Sequence, residues 1–419
     1  MRFLHRFIVT KESPFHGGMF TASIQIRFKK PADTAQTRLE GRTRDPKLDL
    51  IAFQHCRLAH ILNLYKFISS KKRGPYVSLQ LLSRWAQHVG LNTLTGGDLV
   101  RKYPHIFEVF THPIRRNVCC KFRPKFVELL DLEDEVVHNT EESNVIKIRK
   151  ILSMSVTGRI HLHAIRLMRR ELGLPENFRD SIILKYSDIF RMIDLEIVEL
   201  VDWNGDKGLS CFSPEIEIWR ERQYREKWLS EFETKYAFPI NFPTGFKKVP
   251  GFRDRLKNWQ RVSYVKPYEK MEKVRVRSCG GIERYEKRAV GIIHELLCLT
   301  VEKMVEVERL AHFRKDLGIE INLREVLLKH PGIFYVSTRG NVLMVFLREA
   351  YVRGCLIGAN AVYDVRRRML ELMLLGCRNT RVLRENDQGG EEEEDGDGVA
   401  GKDGYFVIPI LKRHSSKPR

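Results

Sequence analysis

The chain has 419 residues, 43% of them hydrophobic, which is enough apolar content to bury cores in two or three domains. Lys and Arg number 73 against 53 Asp and Glu, so the formal net charge is +20. No apolar run approaches the roughly 20 residues that a bilayer-spanning helix needs, and we therefore expect no membrane span.

The body of the chain is more basic than the total suggests. Residues 388–404 carry seven carboxylates and one Lys, so the remainder carries +26. Such an excess favours a polyanionic partner, either nucleic acid or an anionic membrane surface. The alternative is a soluble protein that has a high pI without such a partner.

The first thirty residues hold six Lys or Arg and a single acid, Glu12, with hydrophobic residues spaced between the charges. This acid-poor, amphipathic pattern predicts an organelle transit peptide over residues 1–40. The scarcity of Ser favours the mitochondrion, with the chloroplast as the alternative. A second interpretation is a basic arm that binds nucleic acid directly.

The sequence offers no recognisable catalytic or cofactor motif. Eight Cys are scattered without a C-x-x-C pair, which predicts reduced thiols and no metal site. His294 and Glu295 begin a broken H-E-x-x-H in which Cys298 replaces the second His. Cys119, Cys120 and Cys298 fall in apolar predicted elements, and no phosphate-binding Gly-rich loop is present. We therefore expect no enzyme activity, no cofactor and no small-molecule substrate.

A six-residue segment occurs three times in similar form: KYPHIF at 102–107, KYSDIF at 185–190 and KHPGIF at 329–334. Each follows a short amphipathic segment, which itself follows a Gly that ends a helical pattern. Each Lys is therefore expected in the last turn of a helix, where a cation suits the helix dipole. The three Gly residues are Gly90, Gly173 and Gly318.

Downstream of each hexapeptide the hydrophobic period changes from helical to alternating, which predicts a β-hairpin. Upstream of each first helix lies another helical pattern, so every copy reads as helix, helix, short helix, hairpin. This order predicts an α+β fold, predominantly helical, of three winged-helix-like repeats. Their bounds are about 50–137, 143–204 and 286–350, with an insertion at 205–285 and an acidic disordered tail at 379–419.

The insertion has two different halves. The first places Trp219, Tyr224, Trp228 and Phe232 near one face of a helix, which predicts a packed helix. The second half is rich in Pro and Gly and interleaves aromatic with basic residues. It is expected to form an irregular, ordered surface segment.

Several longer segments resemble the plant organelle RNA recognition (PORR) domain family. They include TRDPKLDL at 43–50, LPENFRDSIILKYSDIFRM at 174–192 and FPINFPTGF at 238–246. LVRKYPHIFE at 99–108 and KHPGIFYVSTRGNVLMVFLREAY at 329–351 complete the set, in the order of the family. The resemblance implies a plant protein of a mitochondrion or chloroplast that binds intron RNA and promotes group II splicing without catalysing it. The PORR-like region is predicted at 41–378.

Single-stranded RNA is held by cations that follow the phosphates and by aromatic faces that stack on bases. Three segments combine both ingredients: the insertion, the first and third hairpins, and the hexapeptides. In the insertion the predicted contacts are Lys247, Lys248, Phe252, Arg253, Arg255, Trp259, Arg261, Arg275 and Arg277. In the hairpins they are Arg115, Arg116, Lys121, Arg123 and Arg339. In the hexapeptides they are Lys102, Tyr103, Lys185, Tyr186, Lys329 and His330.

Each of these residues also has an ordinary structural interpretation, because aromatic side chains anchor loops to cores and Lys is common at helix ends. Two other functions fit the same pattern. The chain could be a protein-interaction scaffold that recruits splicing factors, or a winged helix that docks in duplex DNA.

Overall fold

The computed structural model describes residues 34–70, 74–85, 96–201, 212–247, 250–270, 281–340, 342–358 and 360–387. Most of the predicted transit peptide and acidic tail lies outside these ranges. So do three of the predicted RNA contacts, Lys248, Arg275 and Arg277.

Besides a 3-10 helix at Arg348–Ala350, sixteen α- and π-helices are found in the described residues. They are α1 Ala35–Glu40, α2 Pro46–Ser69, α3 Leu79–Trp85, α4 Gly96–Lys102, α5 Pro124–Asn139, α6 Glu141–Ser153, α7 Leu162–Leu167, α8 Arg169–Leu172, the π-helical α9 Arg179–Leu184, α10 Glu215–Lys227, α11 Glu231–Thr234, α12 Phe252–Arg261, α13 Gly281–Leu299, α14 Val307–Ala311, α15 Leu323–Lys329 and α16 Ala361–Asp387.

The strands of the described residues form three three-stranded antiparallel sheets and a small fourth pair. They are β1 Tyr76–Ser78, β2 Phe107–Thr111, β3 Val118–Phe122, β4 Arg159–His161, β5 Phe190–Asp194, β6 Ile197–Leu200, β7 Met304–Glu306, β8 Phe334–Ser337, β9 Met344–Leu347, β10 Tyr351–Val352 and β11 Cys355–Leu356. The predicted α+β class, with mostly helices and small sheets, is confirmed.

The three larger sheets have one strand order, β1-β3-β2, β4-β6-β5 and β7-β9-β8. In each sheet, the second strand of the hairpin is central. It pairs on one side with the first hairpin strand and on the other side with a three-residue strand, which precedes the middle helices of the repeat. The sequence predicted the hairpins but missed the short strands, because three residues are too few to show an alternating pattern. Val77, Ile160 and Val305 are the buried midpoints of these short strands.

The hexapeptides lie where each repeat changes from helix to strand, as the sequence predicts. The amides of Phe107, Phe190 and Phe334 donate to the carbonyl of the ring residue four positions earlier, at 2.9 to 3.0 Å. All three Phe side chains are buried. Gly173 and Gly318 adopt positive φ angles of 70° and 65°, the conformation that ends a helix at the Gly of a Schellman or αL motif.

The repeats are not three independent units. One hydrophobic core combines the second repeat, the third repeat and the insertion, from Val145 to Leu347. A second core combines the first repeat with α16, through Val365, Met369 and Met373. The C-terminal helix therefore completes the first repeat from the far end of the chain.

Arg366 on α16 joins all three repeats in one buried network. Its guanidinium donates to Glu133 at 2.6 Å, to Glu302 at 2.7 Å and to the carbonyl of Arg170 at 2.7 Å. Burial opposes the charge of Glu133 and Glu302, but Arg366 and Arg170 hold the pKa of both carboxyls below the usual value. The network is thus an ionised cluster inside the protein, which we call the Arg366 network.

Three details differ from the sequence-based predictions. The irregular half of the insertion contains a ten-residue helix, α12. Tyr224, Trp228 and Phe232 are exposed rather than packed, and α10 ends at Lys227, before the last two of them. Helix α16 continues to Asp387, inside the predicted tail. Helix α1 lies at the end of the predicted transit peptide, which stays a prediction.

No helix in the described ranges combines the length and the hydropathy that crossing a bilayer would require.

Replacing Arg366 by Met should lower the free energy of unfolding by about 3 to 5 kcal/mol, because Glu133 and Glu302 would remain buried without their cation. Urea denaturation measures this. Arg367→Met is the matched control: Arg367 is 53% exposed and, among the described residues, pairs with Glu371 alone, and such a pair contributes about 0.5 kcal/mol or less. Equal losses in the two variants would contradict the assigned role of the Arg366 network.

Candidate nucleic-acid interface

Helix α12 presents a cationic face to solvent. Its ten residues include Arg253, Arg255, Lys257 and Arg261 against the single acid Asp254. All four cations are exposed. Within the described ranges, no ion pair involves any of them, although Arg261 lies 5.2 Å over the ring of Phe232. These charges are therefore available to an external anion.

The C-terminal end of α12 is held by Lys287, a fully buried residue of α13. Its ammonium group donates to the carbonyls of Trp259, Gln260 and Val262 at 2.8, 3.0 and 2.8 Å. It also lies 4.8 Å over the Trp259 ring. Burial, aided by the Arg220 guanidinium, lowers the pKa of Lys287 to about 7. The carbonyls that end a helix are the expected partners of such a cation.

A cluster of three contacting aromatic rings holds the N-terminal end of α12. Phe242 stacks on Phe246 at 4.6 Å, and Phe252 meets both at 5.5 Å. Phe242 also packs on Gly332 of the third hexapeptide, where a Cβ atom would come within 3.0 Å of the ring. The amide of Asn241 donates to the carbonyl of Gly332 at 2.8 Å. The insertion is therefore fixed to the third repeat at its hexapeptide.

A groove of about 240 Å³ lies between α12 and the third hexapeptide. Trp259 and His330 form one wall, with ring centroids 4.5 Å apart. Arg255 and Lys329 also line it. It is smaller than the roughly 300 to 1,000 Å³ of pockets that enclose drug-sized ligands, and it combines rings with cations. Five predicted contacts, Phe252, Arg255, Trp259, Lys329 and His330, meet here.

The Lys and ring of each hexapeptide have partners inside the protein. In the second repeat, Lys185 and the Tyr186 hydroxyl both bond Glu141, at 2.6 and 2.8 Å. In the third, Lys329 and His330 bond Glu286, at 3.2 and 3.0 Å. The pair predicted to hold a phosphate and a base thus holds a carboxylate of the first helix of its own repeat.

In the first repeat, the partner of the ring is a cation, where the other two repeats have a carboxylate. Arg57 of α2 donates to the hydroxyl of Tyr103 at 3.0 Å, and the Tyr103 side chain is only 1% exposed. Its ring faces are therefore covered by core atoms and offer no surface to a base. Lys102 stands at the end of α4. The Lys102 contact with RNA stays a prediction.

The partners of these rings were not identified from the sequence, but a regular spacing marks them. Tyr103 and Arg57 are 46 positions apart, Tyr186 and Glu141 are 45, and His330 and Glu286 are 44. A polar residue at nearly constant distance upstream of each hexapeptide is a signal that could have identified them. The role of Lys287, next to Glu286, could not have been identified from such a spacing.

The first hairpin, β2–β3, carries exposed cations at its tip. Arg115 and Arg116 are exposed, and Arg116 has a positive φ of 51°. Lys121 pairs with Glu108 at 3.1 Å, and both side chains are about two-fifths exposed, at 43% and 41%. Arg123 is exposed at the start of α5. All four predicted contacts are therefore at least partly exposed.

The other two hairpins are less available to an external anion. In the second, β5–β6, Glu199 accepts from both Arg159 and Arg191, at 2.9 and 2.6 Å, so both arginines of its outer row already have a carboxylate partner. In the third, β8–β9, every residue of β8 is buried. The turn after β8 lies against α2, where the Cys56 thiol donates to the carbonyl of Gly340 at 3.2 Å. Arg339 is exposed beside this contact.

His294, Cys298 and Glu349 form a potential ligand cluster, with one donor atom from each within 4.8 Å of the others. His294 Nε2 lies 2.5 Å from Glu349, and its Nδ1 lies 3.6 Å from the Cys298 thiol. Burial opposes the charge of His294, yet Cys298 and Glu349 raise its pKa well above 6.5. Burial raises the pKa of Cys298. The contact of the His294 imidazole with the Glu349 carboxylate and the raised pKa of the Cys298 thiol favour an ion pair over a nucleophile or a metal ligand.

Lys287→Met should release the C-terminal end of α12, because three carbonyls would lose their donor. We expect the free energy of unfolding to fall by about 1 to 3 kcal/mol and the amides of α12 to exchange faster with deuterium. Lys257→Met, on the exposed face of the same helix, is the control and should change neither. Unaltered exchange in α12 of the Lys287 variant would show that the ammonium does not hold the helix.

Glu286→Gln tests the hexapeptide bond of the third repeat. Hydrogen bonds from His330 and, despite some burial, Lys329 hold the pKa of Glu286 below its usual value. The ionised form therefore stabilises the fold above the ordinary carboxyl pKa of about 4.3, and this stability is lost as the pH falls through the lowered value. We expect a loss of about 1 kcal/mol at pH 7 that disappears in acid.

Glu325→Gln is the control, because Glu325 is 42% exposed and its one ion pair in the described part of the chain is with Lys329, at 3.2 Å. Denaturant unfolding at several pH values gives both comparisons. A loss in the Glu286 variant that does not depend on pH would contradict the charge-based explanation.

Comparison with known proteins gives consistent matches over this region. Residues 43–378 match the family described as the plant organelle RNA recognition domain. ROOT PRIMORDIUM DEFECTIVE 1 of Arabidopsis thaliana is 38% identical, over 86% of this chain and 90% of that protein. WHAT'S THIS FACTOR 9, mitochondrial, from the same plant is 30% identical, over 86% and 90%.

WHAT'S THIS FACTOR 1, chloroplastic, of Zea mays is 29% identical, over 87% of this chain and 72% of that protein. No solved structure matches the chain significantly. The family match spans the three hexapeptides, the insertion and all three larger sheets. It confirms the resemblance drawn from the sequence motifs, and the chain belongs to the plant organelle RNA recognition domain family.

Proposed function

We propose that this protein binds single-stranded segments of organellar intron RNA and promotes group II splicing without catalysing it. The observation that carries the proposal is the groove formed by Trp259 and His330, which Arg255 lines, together with the other exposed cations of α12. Cations and rings on one surface are the combination that unpaired RNA requires. The family description, plant organelle RNA recognition, supports the same class of ligand.

The mechanism follows from charge and shape. Folded introns bring phosphates close together, and a body with a net charge of +26 outside residues 388–404 reduces their repulsion. The rings would hold unpaired bases that otherwise form wrong pairs. The α12 face is held rigidly by Lys287 and by the Phe242 cluster, so little ordering entropy is lost on binding. The intron would supply the chemistry.

We assign the protein to the mitochondrion, from the Arg-bearing, Ser-poor first thirty residues. Its relatives include one named mitochondrial and one named chloroplastic, so the chloroplast is the alternative. Import of the full chain, tagged at its C-terminus, distinguishes the two by microscopy.

A scaffold role has its own supporting observation. Trp228 is 91% exposed and Phe232 69% exposed, at the junction of α10 and α11. Exposed aromatic side chains of this size are typical anchors for a protein partner. Other splicing factors are the partners we would expect there. In that case Trp228→Ser should abolish co-purification of the partner and leave RNA binding intact.

Replacing Arg253, Arg255 and Lys257 by Ala should weaken binding of single-stranded RNA and flatten its salt dependence. Removing three phosphate contacts lowers the slope of log K against log salt by about 2. Fluorescence anisotropy of the full chain with a labelled oligonucleotide, at several salt concentrations, gives both values. The matched control replaces Arg222, Arg225 and Lys227 of α10, which are equally exposed and remove the same charge.

We expect the α12 variant to change the slope of log K against log salt and the α10 variant to leave it nearly unchanged. Equal effects would indicate attraction by net charge alone. Tighter binding of duplex DNA than of single-stranded RNA would favour the winged-helix DNA alternative instead.

A further inference from the structure

The outer faces of the three larger sheets can be compared position by position, because their strands pair in the same register. Tyr76, Lys121 and Glu108 form one cross-strand row of the first sheet. The corresponding row of the second sheet is Arg159, Glu199 and Arg191. In the third sheet it is Met304, Phe346 and Tyr335.

The third sheet is covered on this face by the start of α2. Tyr335 and Phe346 are buried with Leu48 and Ala52 in one hydrophobic cluster. The hydroxyl of Tyr335 donates to Asp49 at 2.8 Å. This face is therefore filled by the protein itself.

The second sheet has ion pairs across its outer face. Glu199 lies between Arg159 and Arg191 and pairs with both. The two arginines hold the pKa of Glu199 below its usual value. Its row offers no aromatic surface on which a base could stack, and both of its arginines already bond one carboxylate.

The first sheet differs, because its outer face carries rings that are only partly buried. Tyr76 and Phe110 meet edge to face, with centroids 5.9 Å apart. His112 lies 5.4 Å from Tyr76, and its Nε2 is 3.2 Å from the Tyr76 hydroxyl. The Lys121 ammonium lies 5.8 Å over the Phe110 ring. We call Tyr76, Phe110 and His112 the ring cluster.

The ring cluster is held in place before any ligand arrives. Nδ1 of His112 accepts from the amides of Ile114 and Arg115, at 3.3 and 3.2 Å. Nε2 therefore carries the proton and donates to Tyr76. One imidazole thus ties the tip of the first hairpin to strand β1.

The charge of the second half of the first hairpin, next to the ring cluster, is entirely positive. Residues 112–125 contain Arg115, Arg116, Lys121, Arg123 and Lys125 and no acid. Lys121 pairs with Glu108, but both are about two-fifths exposed, at 43% and 41%, and such a pair is weak enough for a phosphate to displace.

We infer that the outer face of the first sheet is a stacking platform for unpaired RNA bases, with phosphates held by Arg115, Arg116 and Lys121. The inference rests on the proposed RNA binding, but it assigns a second surface that is separate from α12. An apolar helix, as on the third sheet, would bury these cations without partners, whereas RNA supplies a phosphate for each.

The test uses the full chain and a labelled single-stranded oligoadenylate of about 12 nucleotides, a length suited to one binding groove. Tyr76→Leu with Phe110→Leu keeps apolar bulk and removes both ring faces. We expect affinity to fall about 10- to 100-fold. The salt slope should not change, because no charge is removed. Affinity for duplex RNA of the same length should not change either.

Tyr224→Leu with Trp228→Leu is the matched control, since it removes two exposed rings elsewhere and should leave affinity unaltered. Phe110→Tyr keeps a ring and should bind as the unmodified chain does. If the double variant unfolds, Phe110→Leu alone, at the partly exposed hairpin, repeats the comparison with a loss of about 5-fold or more expected.

Full affinity in the leucine variants for oligoadenylate would overturn the platform. That result, with a flattened salt slope in the α12 variant, would leave the proposed function intact. Absence of RNA binding by the unmodified chain would refute both proposals. An equal loss in the Tyr224 and Trp228 control would also overturn the platform, because ring removal anywhere would then suffice.

Discussion

The buried guanidinium of Arg366 is the interaction on which the arrangement of this protein depends. It bonds Glu133 after the first hairpin, the carbonyl of Arg170 in the second repeat and Glu302 in the third. Ionised groups in a protein interior are tolerated only when every partner is in place. The three repeats are therefore fixed relative to one another, and their surfaces form one continuous body rather than a flexible string.

Within this body, the fold decides which cations are free to meet RNA. The Lys185 and Lys329 side chains are paired with Glu141 and Glu286, and both arginines in the outer row of the second sheet bond Glu199. The cations of α12 and of the first hairpin tip have no such internal carboxylate among the described residues. Net charge draws RNA to the protein, and the pattern of internal pairing selects the surface.

Sequence reasoning succeeded where the signal is local. The hexapeptides, the hairpins and the helix-ending Gly173 and Gly318 follow from periodicity and backbone preference. Helix α12 was missed because Pro243 and Pro250 suggest irregular structure around it. The Arg366 network was missed for another reason: its partners lie 64 and 233 positions away, and burial of a charge leaves no local pattern. Lys287 was missed likewise.

The central claim is that RNA contacts this protein at α12 and at the first hairpin, where exposed cations lie near partly exposed rings. Ultraviolet cross-linking of the unmodified full chain to single-stranded RNA, followed by mass spectrometry of the linked peptides, tests it most directly. The account predicts cross-links within residues 246–261 and 105–125, and none in the second hairpin at 190–200. Cross-links concentrated in the second hairpin, or on α10, would contradict it.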